Sequence, residues 1–219
     1  MAGLAAWPIP VQTTILAAPG QIELHLSARG SDRSAVDRVL DVAVQQLSTA
    51  LGDIVFSTDG RQLPEVIGAL LRDRGERIAV AESCTGGLVL ARLTDIPGSS
   101  AWVVGGIMAY ADDVKVEQLG VPADLIAAHG AVSEPVAIAM AAGVRQRLRA
   151  DIGVSITGIA GPSGGTIEKP VGTVAIAVNT AAGDAGAVRT FRFVGDRQMV
   201  RLQATQAALE MARRAVQTA

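Results

Sequence analysis

The chain has 219 residues, of which 49% are hydrophobic, 18% charged and 3% aromatic, and it carries a net charge of −2. That length supports one core of roughly 150 residues with a smaller unit appended, and the apolar content excludes an intrinsically disordered chain. Without a clustered basic face the charge speaks against a nucleic-acid partner, and a single cysteine, Cys84, excludes an intrachain disulfide framework.

The first 22 residues carry no charged side chain. Pro8, Pro10 and Pro19 interrupt them and no basic residue leads them, so a cleaved signal is not expected. No apolar run approaches the roughly 18 to 20 residues of a membrane helix; a cytoplasmic protein with no membrane partner is the expectation. Two units are predicted, residues 1–58 and 59–219. In the first, Ile22, Leu24 and Leu26 alternate with Glu23, His25 and Ser27, the period-two pattern of a half-buried strand. Ser31 is placed to cap a helix with Val36, Val39, Leu40, Ala43, Val44, Leu47 and Leu51 on its apolar positions, closed by Gly52. Residues 54–56 read as a second strand, so 11–57 form a small β-α-β subdomain that cannot bury a stable core unaided.

The second unit opens near Asp59 on a helix with Leu63, Val66, Ile67, Leu70 and Leu71 on one face, ending at Gly75. A short buried strand at 78–81 leads into Glu82-Ser83-Cys84-Thr85-Gly86-Gly87 and an apolar helix. Residues 103–110 read as a strand, and 112–119 as a short helix closed by Gly120. Ser133 is placed to cap a helix reaching about Leu148, with Pro135 in its first turn. A strand at 152–157 empties into a glycine-rich loop at 158–165. Strands at 171–178 and 187–194 form a hairpin around Gly183 and Gly186, and an amphipathic helix covers 196–216. Strands alternating with helices predict an α/β sandwich, and the hairpin makes its sheet mixed.

Ser83 stands where a buried strand turns into a helix, at the carboxyl end of the sheet where open α/β folds bind ligands. The helix start offers N–H groups for a phosphate or an oxyanion. Ser83 and Thr85 are also the residue types that simply cap helices. Cys84 reads as a small buried hydrophobe, since no cationic partner adjoins it. A serine nucleophile needs a base. His25 lies on the polar face of its strand, and His129 looks like a helix C-terminal residue favoured by the dipole. That leaves a desolvated lysine, and the chain has two, Lys115 and Lys169. If strand 103–110 lies beside 78–81, then Ser83, Tyr110 and Lys115 meet at one edge of the sheet; a solvated helix lysine is the plainer alternative. The loop from Gly158 to Gly165 is neither a Walker loop nor a dinucleotide fingerprint. It suits a nest of N–H groups for an anion or a ribose, or a wide turn. Asp196 at a helix start with Arg197 and Arg201 suits a phosphate monoester, as it suits an ordinary solvated helix face.

Several long motifs fall in order along the chain. They are Ala81-Glu82-Ser83-Cys84-Thr85-Gly86-Gly87, Asp95-Ile96-Pro97-Gly98-Ser99-Ser100 and His129-Gly130-Ala131-Val132-Ser133-Glu134. Thr157-Gly158-Ile159-Ala160-Gly161-Pro162, Glu168-Lys169-Pro170-Val171-Gly172-Thr173 and Gly195-Asp196-Arg197 follow. On these, residues 79–219 resemble the CinA C-terminal domain, the nicotinamide-nucleotide amidohydrolase family. The resemblance implies a three-layer α/β/α sandwich with a mixed sheet. It implies hydrolysis of nicotinamide mononucleotide to nicotinic acid mononucleotide and ammonia, with no metal and no cofactor. By it, Ser83 is the nucleophile, Lys115 its base, and Tyr110 and Thr157 are supporting pocket residues. The substrate is then expected against Thr85, Gly86 and Gly87 on one side and Gly158, Gly161, Gly164, Gly165 and Lys169 on the other. Arg197 and Arg201 would take its 5′-phosphate.

A homodimer is usual in that family. Asparagine commonly stands where this chain has Asp112, and a carboxylate there favours the charged form of Lys115. Residues 11–57, with Ala18-Pro19-Gly20-Gln21-Ile22-Glu23-Leu24, resemble part of the connector of full-length CinA proteins. The large nucleotide-hydrolase domain of those proteins has no counterpart in the sequence, so no pyrophosphatase activity is expected. Two other readings stand beside this one: a Ser/Lys amidohydrolase for another phosphorylated amide, and an idle nucleotide-binding or regulatory module tied to DNA uptake or damage responses.

Overall fold

Gly20 takes a φ of 76°, which lets the chain reverse through Pro19 and Gly20 between β1 (Val11–Ala18) and β2 (Gln21–Ala28). The strands pair antiparallel from Val11 against Ala28 to Ala18 against Gln21. Opposed residues share a face, so Val11, Thr13, Ile15 and Ala17 lie with Ala28, Leu26, Leu24 and Ile22. α1 (Arg33–Leu51) packs on this hairpin and buries Val39 and Ala43. Its cap is Asp32, whose carboxylate accepts the Ser34 N–H at 2.9 Å; the cap expected of Ser31 falls one residue early. The subdomain is therefore β-β-α, a correction to the β-α-β expectation. Ile54 ends a 3-10 turn, and residues 54–56 pair with no strand among the described residues. β1 escapes a period-two reading because Ile15, Leu16, Ala17 and Ala18 run together without alternation.

The computed structural model describes residues 9–180 and 187–218. Met1–Arg61 and Gln62–Ala219 are separate units. The second begins with α2 (Leu63–Arg74), which starts later than Asp59 because Gln62 and Glu65 form a capping box and Pro64 occupies the first turn. Its sheet contains β3 (Ile78–Glu82), β4 (Val103–Met108), β5 (Ile152–Gly158), β6 (Thr173–Thr180) and β7 (Val188–Arg192) in the order β4-β3-β5-β6-β7. β3 runs parallel to both neighbours, while β6 is antiparallel to β5 and to β7. The sheet is mixed, as expected. The turn placed at Gly183 and Gly186 lies outside the described residues.

Helices flank this sheet. α3 (Leu88–Thr94) and α7 (Arg197–Thr218) pack together with α2, α7 lying on β5 and β6. α4 (Asp112–Leu119), α5 (Ala123–His129) and α6 (Glu134–Leu148) pack together, α6 crossing every strand. α5 has no span predicted from the sequence, although His129, its last residue, reads as a helix C-terminal residue. Strand alternation sorts the residues: Ala79 and Ala81 pack with Val136 and Met140 of α6, and Ala175 and Ala177 with Ala137 and Ala141. These small side chains bring α6 close. A Cβ on Gly153 would strike the Ala141 carbonyl, and one on Gly143 the Leu119 carbonyl of α4. Ser155, fully buried on the same face, donates its hydroxyl to the Ala137 carbonyl at 2.6 Å. Among the described residues no helix is long and apolar enough to cross a membrane.

Candidate functional site

The ladder between β3 and β5 runs one bond past β3, with the Ser83 N–H donating to the Ile156 carbonyl at 3.0 Å. Ser83 thus ends a strand in the middle of the sheet and is 7% exposed. Residues 83–87 form a turn whose glycines, Gly86 and Gly87, have φ of 67° and 91°. The Gly86 N–H closes on the Ser83 carbonyl at 3.2 Å. The carboxylate of buried Glu82 accepts the N–H groups of Gly87 at 2.9 Å, Val89 at 3.2 Å and Leu90 at 2.8 Å. The Gly87 N–H is therefore taken, which corrects the expectation that it meets substrate. Cys84 and Thr85 keep N–H groups with no oxygen acceptor among the described residues.

The Thr85 side chain is wholly buried and its hydroxyl has no partner, so the substrate contact expected of it is not presented at the surface. Cys84 is buried as expected. Burial pushes its thiol up to about 12, and the Glu82 charge adds to the effect. A thiol held neutral is a poor nucleophile.

Lys115 is 1% exposed, which removes the solvated-lysine alternative. Its Nζ donates to the Tyr110 carbonyl at 3.0 Å, the Ala111 carbonyl at 3.5 Å and Asp112 Oδ1 at 3.1 Å. Asp112 itself keeps 57% of its side chain exposed. Among the described residues no hydrogen bond joins Nζ to the Ser83 hydroxyl. What the fold brings together is the edge: β4 pairs with β3, and Lys115 reaches back along α4 to the residues that follow β4. Tyr110 is 63% exposed and stands at a rim, not inside a pocket.

Thr157 is buried and donates its hydroxyl to the Ala131 carbonyl at 2.9 Å. Ser133 sits at the α6 N-cap position, but its hydroxyl donates to the Gly130 carbonyl at 2.9 Å and caps nothing. Lys169 donates to the His129 carbonyl at 2.6 Å. Three side chains thus fasten the 129–133 stretch, and Lys169 is a strap where a substrate contact was expected.

The loop 159–172 is closed at its base, Ile159 N–H donating to the Thr173 carbonyl and Gly172 N–H to the Ile159 carbonyl, each at 2.8 Å. Gly158 is there for packing, since a Cβ would lie 2.7 Å from Val174 and 3.0 Å from the Cys84 sulfur. Gly164 and Gly165 are exposed. Arg197 donates to the Gly161 carbonyl at 2.9 Å and Arg201 to the Thr85 carbonyl at 2.8 Å. The first turn of α7 therefore ties the glycine loop to the serine turn. Arg197, Gln198, Arg201, Leu202 and Leu88 line a cavity of about 360 Å³. The buried Nε of Arg201 has no partner, so a donor remains beside that cavity. Sequence reasoning gave Glu82 no role. Its signal was an acidic residue directly before a turn that becomes a helix.

Residues 60–216 match the CinA C-terminal domain family. A CinA-like protein of Mycobacterium sp. (strain MCS) is 57% identical over 166 residues, 76% of this chain and 39% of that protein. One from Mycolicibacterium paratuberculosis is 49% identical over 205 residues, 89% of this chain and 47% of that protein. The chain spans about half the length of the curated relatives it matches. Among solved structures, the competence/damage inducible protein CihA from Agrobacterium tumefaciens superposes with a TM-score of 0.67 at 40% identity. That match covers 72% of this chain and 95% of that one.

Proposed function

Because this chain belongs to the CinA C-terminal domain family, we propose that it deamidates nicotinamide mononucleotide with Ser83 as nucleophile and Lys115 as base. The observation that carries this reading is a fully buried lysine on the helix following β4, next to the strand that ends at Ser83. As a neutral amine, Lys115 takes the Ser83 proton while the oxygen attacks the amide carbon. The oxyanion turns to the Cys84 and Thr85 N–H groups, a contribution of about 3 to 4 kcal/mol per donor in well-studied cases. The proton passes to the amide nitrogen as the C–N bond breaks, ammonia leaves, and water frees the acyl-serine by the same route. Arg197 and Arg201 hold the 5′-phosphate at the cavity beside Leu88, and the protein works as a homodimer.

Ammonia release from purified protein tests this. Ser83→Ala and Lys115→Arg should release none, since a guanidinium does not give up its proton. Nicotinamide riboside should be at least about tenfold poorer than the mononucleotide if the phosphate is recognised. The Asp112 carboxylate, 3.1 Å from Nζ, favours a second reading, a nucleotide-binding or regulatory module with little turnover. Calorimetric binding of the mononucleotide without ammonia release would select that reading.

A further inference from the structure

We infer that Glu82 is a positioning residue of the serine site: its carboxylate folds the turn after Ser83 so that, within residues 83–87, the next two N–H groups stay free for a developing oxyanion. The inference rests on the Ser83 reading above, and it concerns a residue that touches no substrate.

The geometry is unusual for a helix cap. A side-chain cap ordinarily comes from the residue at the helix start, but here that residue is Gly87, at a φ of 91° and without a side chain. The capping group comes instead from the end of β3, five residues upstream of Gly87. Glu82 therefore bonds both limbs of the turn, one through its own backbone in the sheet and the other through three N–H groups of α3. The carboxylate is only 3% exposed, so those three donors are its solvation.

The allocation of donors follows. Ser83 N–H belongs to Ile156, Gly86 N–H to Ser83, and Gly87, Val89 and Leu90 N–H to Glu82. Within the turn Cys84 and Thr85 are left, the two positions directly after the nucleophile; beyond it the Leu88 N–H, first of α3, also has no acceptor among the described residues. Arg201 holds the same turn from outside through the Thr85 carbonyl at 2.8 Å. The turn is clamped one peptide beyond the two whose N–H groups remain unused.

Glutamine at 82 keeps the shape and loses the charge. One of its two heads is an NH2 group, which must face a backbone N–H where a carboxylate oxygen now accepts. The turn should relax there, while the substrate cavity by α7 is untouched. Because an oxyanion donor acts on the transition state and not on the bound substrate, kcat should fall and KM should hold.

The test compares wild type, Glu82→Gln and Glu82→Ala in ammonia release from nicotinamide mononucleotide, and in Ser83 labelling by a fluorophosphonate followed by intact mass. Near-ultraviolet circular dichroism checks that each variant is folded. Glu82→Gln should lose at least about tenfold in kcat with KM within about threefold, and should label correspondingly slower. Glu82→Ala should be worse if it folds; if it does not, Glu82→Gln decides alone. A folded Glu82→Gln with wild-type kcat and labelling rate overturns the inference, whatever its melting temperature. Wild-type labelling without ammonia release sinks the substrate reading alone, and the labelling rates then judge Glu82. Wild type that neither labels nor releases ammonia has no activated serine, and the inference falls with the reading.

Discussion

Removing the exposed member of the Lys115–Asp112 pair should destabilise the protein more than removing the buried one. In Asp112→Ala the ammonium stays at 2% side-chain exposure with its charge partner gone. Stripping one partner from a buried pair costs about 3–5 kcal/mol. The Tyr110 and Ala111 carbonyls still face Nζ, so about 2–4 kcal/mol is expected here. Lys115→Met is different. The thioether fills the channel of the lysine stem, and Asp112 is left in water, where an unpaired carboxylate is no burden. The Ala111 carbonyl keeps the backbone N–H of residue 115 at 3.2 Å, so the Tyr110 carbonyl alone loses a donor, a cost of about 1 kcal/mol. At about 2–4 °C per kcal/mol for a domain of this size, Asp112→Ala should melt roughly 5–15 °C below wild type and Lys115→Met within a few degrees of it. Scanning calorimetry of the three proteins at pH 7 measures this, and ammonia release run in parallel should find Lys115→Met stable yet inactive. If Lys115→Met melts as low as Asp112→Ala or lower, the buried ammonium is not the costly charge, and the account of this pair is wrong.

Burial holds the Cys84 thiol up at about 12, so iodoacetamide at pH 8 should leave the native protein unmodified by mass and label it in urea; Cys84→Ala should keep its turnover. Burial alone would raise the Glu210 carboxyl, but hydrogen bonds from Arg213 and Arg214 outweigh it and hold the group below its usual 4.5. A carboxyl lowered in the folded state gives stability that is present above the unfolded value and lost as pH falls through the folded one. Wild type should therefore lose urea stability below about pH 4.5 more steeply than Glu210→Gln, and matching acid limbs would refute the pairing. Gly143→Ala drives a methyl into the Leu119 carbonyl at the end of α4. It should cost about 1–3 kcal/mol and lower kcat by shifting the helix that carries Lys115; an unchanged melting temperature would show that α4 is free to move.

The sandwich was legible because its strands are short, apolar and separated by helices with glycine stops, and Gly75, Gly120 and Gly52 all close helices as read. The hairpin of the first unit was half legible. β2 alternates with charge, whereas β1 is uncharged and its period is blurred by four adjacent apolar residues, so only pairing reveals it. At the site, the strand-end placement of Ser83 followed from local pattern, and the burial of Lys115 did not. A short helix of low amphipathicity says nothing of depth; α6 packing on α4 supplies that. What the side chains of Lys169, Ser133 and Thr85 do in the fold was not legible, for a common reason. Each is a polar residue near the site whose hydrogen-bond capacity or burial is decided by a segment distant in sequence. Glu82 was hidden for the opposite reason, its partners lying so near that the motif looked complete without it.

The alanine and glycine floor beneath the site has a bearing on how such a protein can diversify. Ala79, Ala81, Ala137, Ala141, Gly143 and Gly153 carry at most a methyl group, and a Cβ on either glycine would meet backbone directly. Apart from Ala→Gly, any change at these positions enlarges them, and in a close-packed layer enlargement is penalised. In a saturation mutagenesis library selected for folding, the floor should tolerate almost nothing, while the exposed residues of the 159–172 loop accept many substitutions. New substrate preferences would then arise by rewriting the rim around an unchanging base.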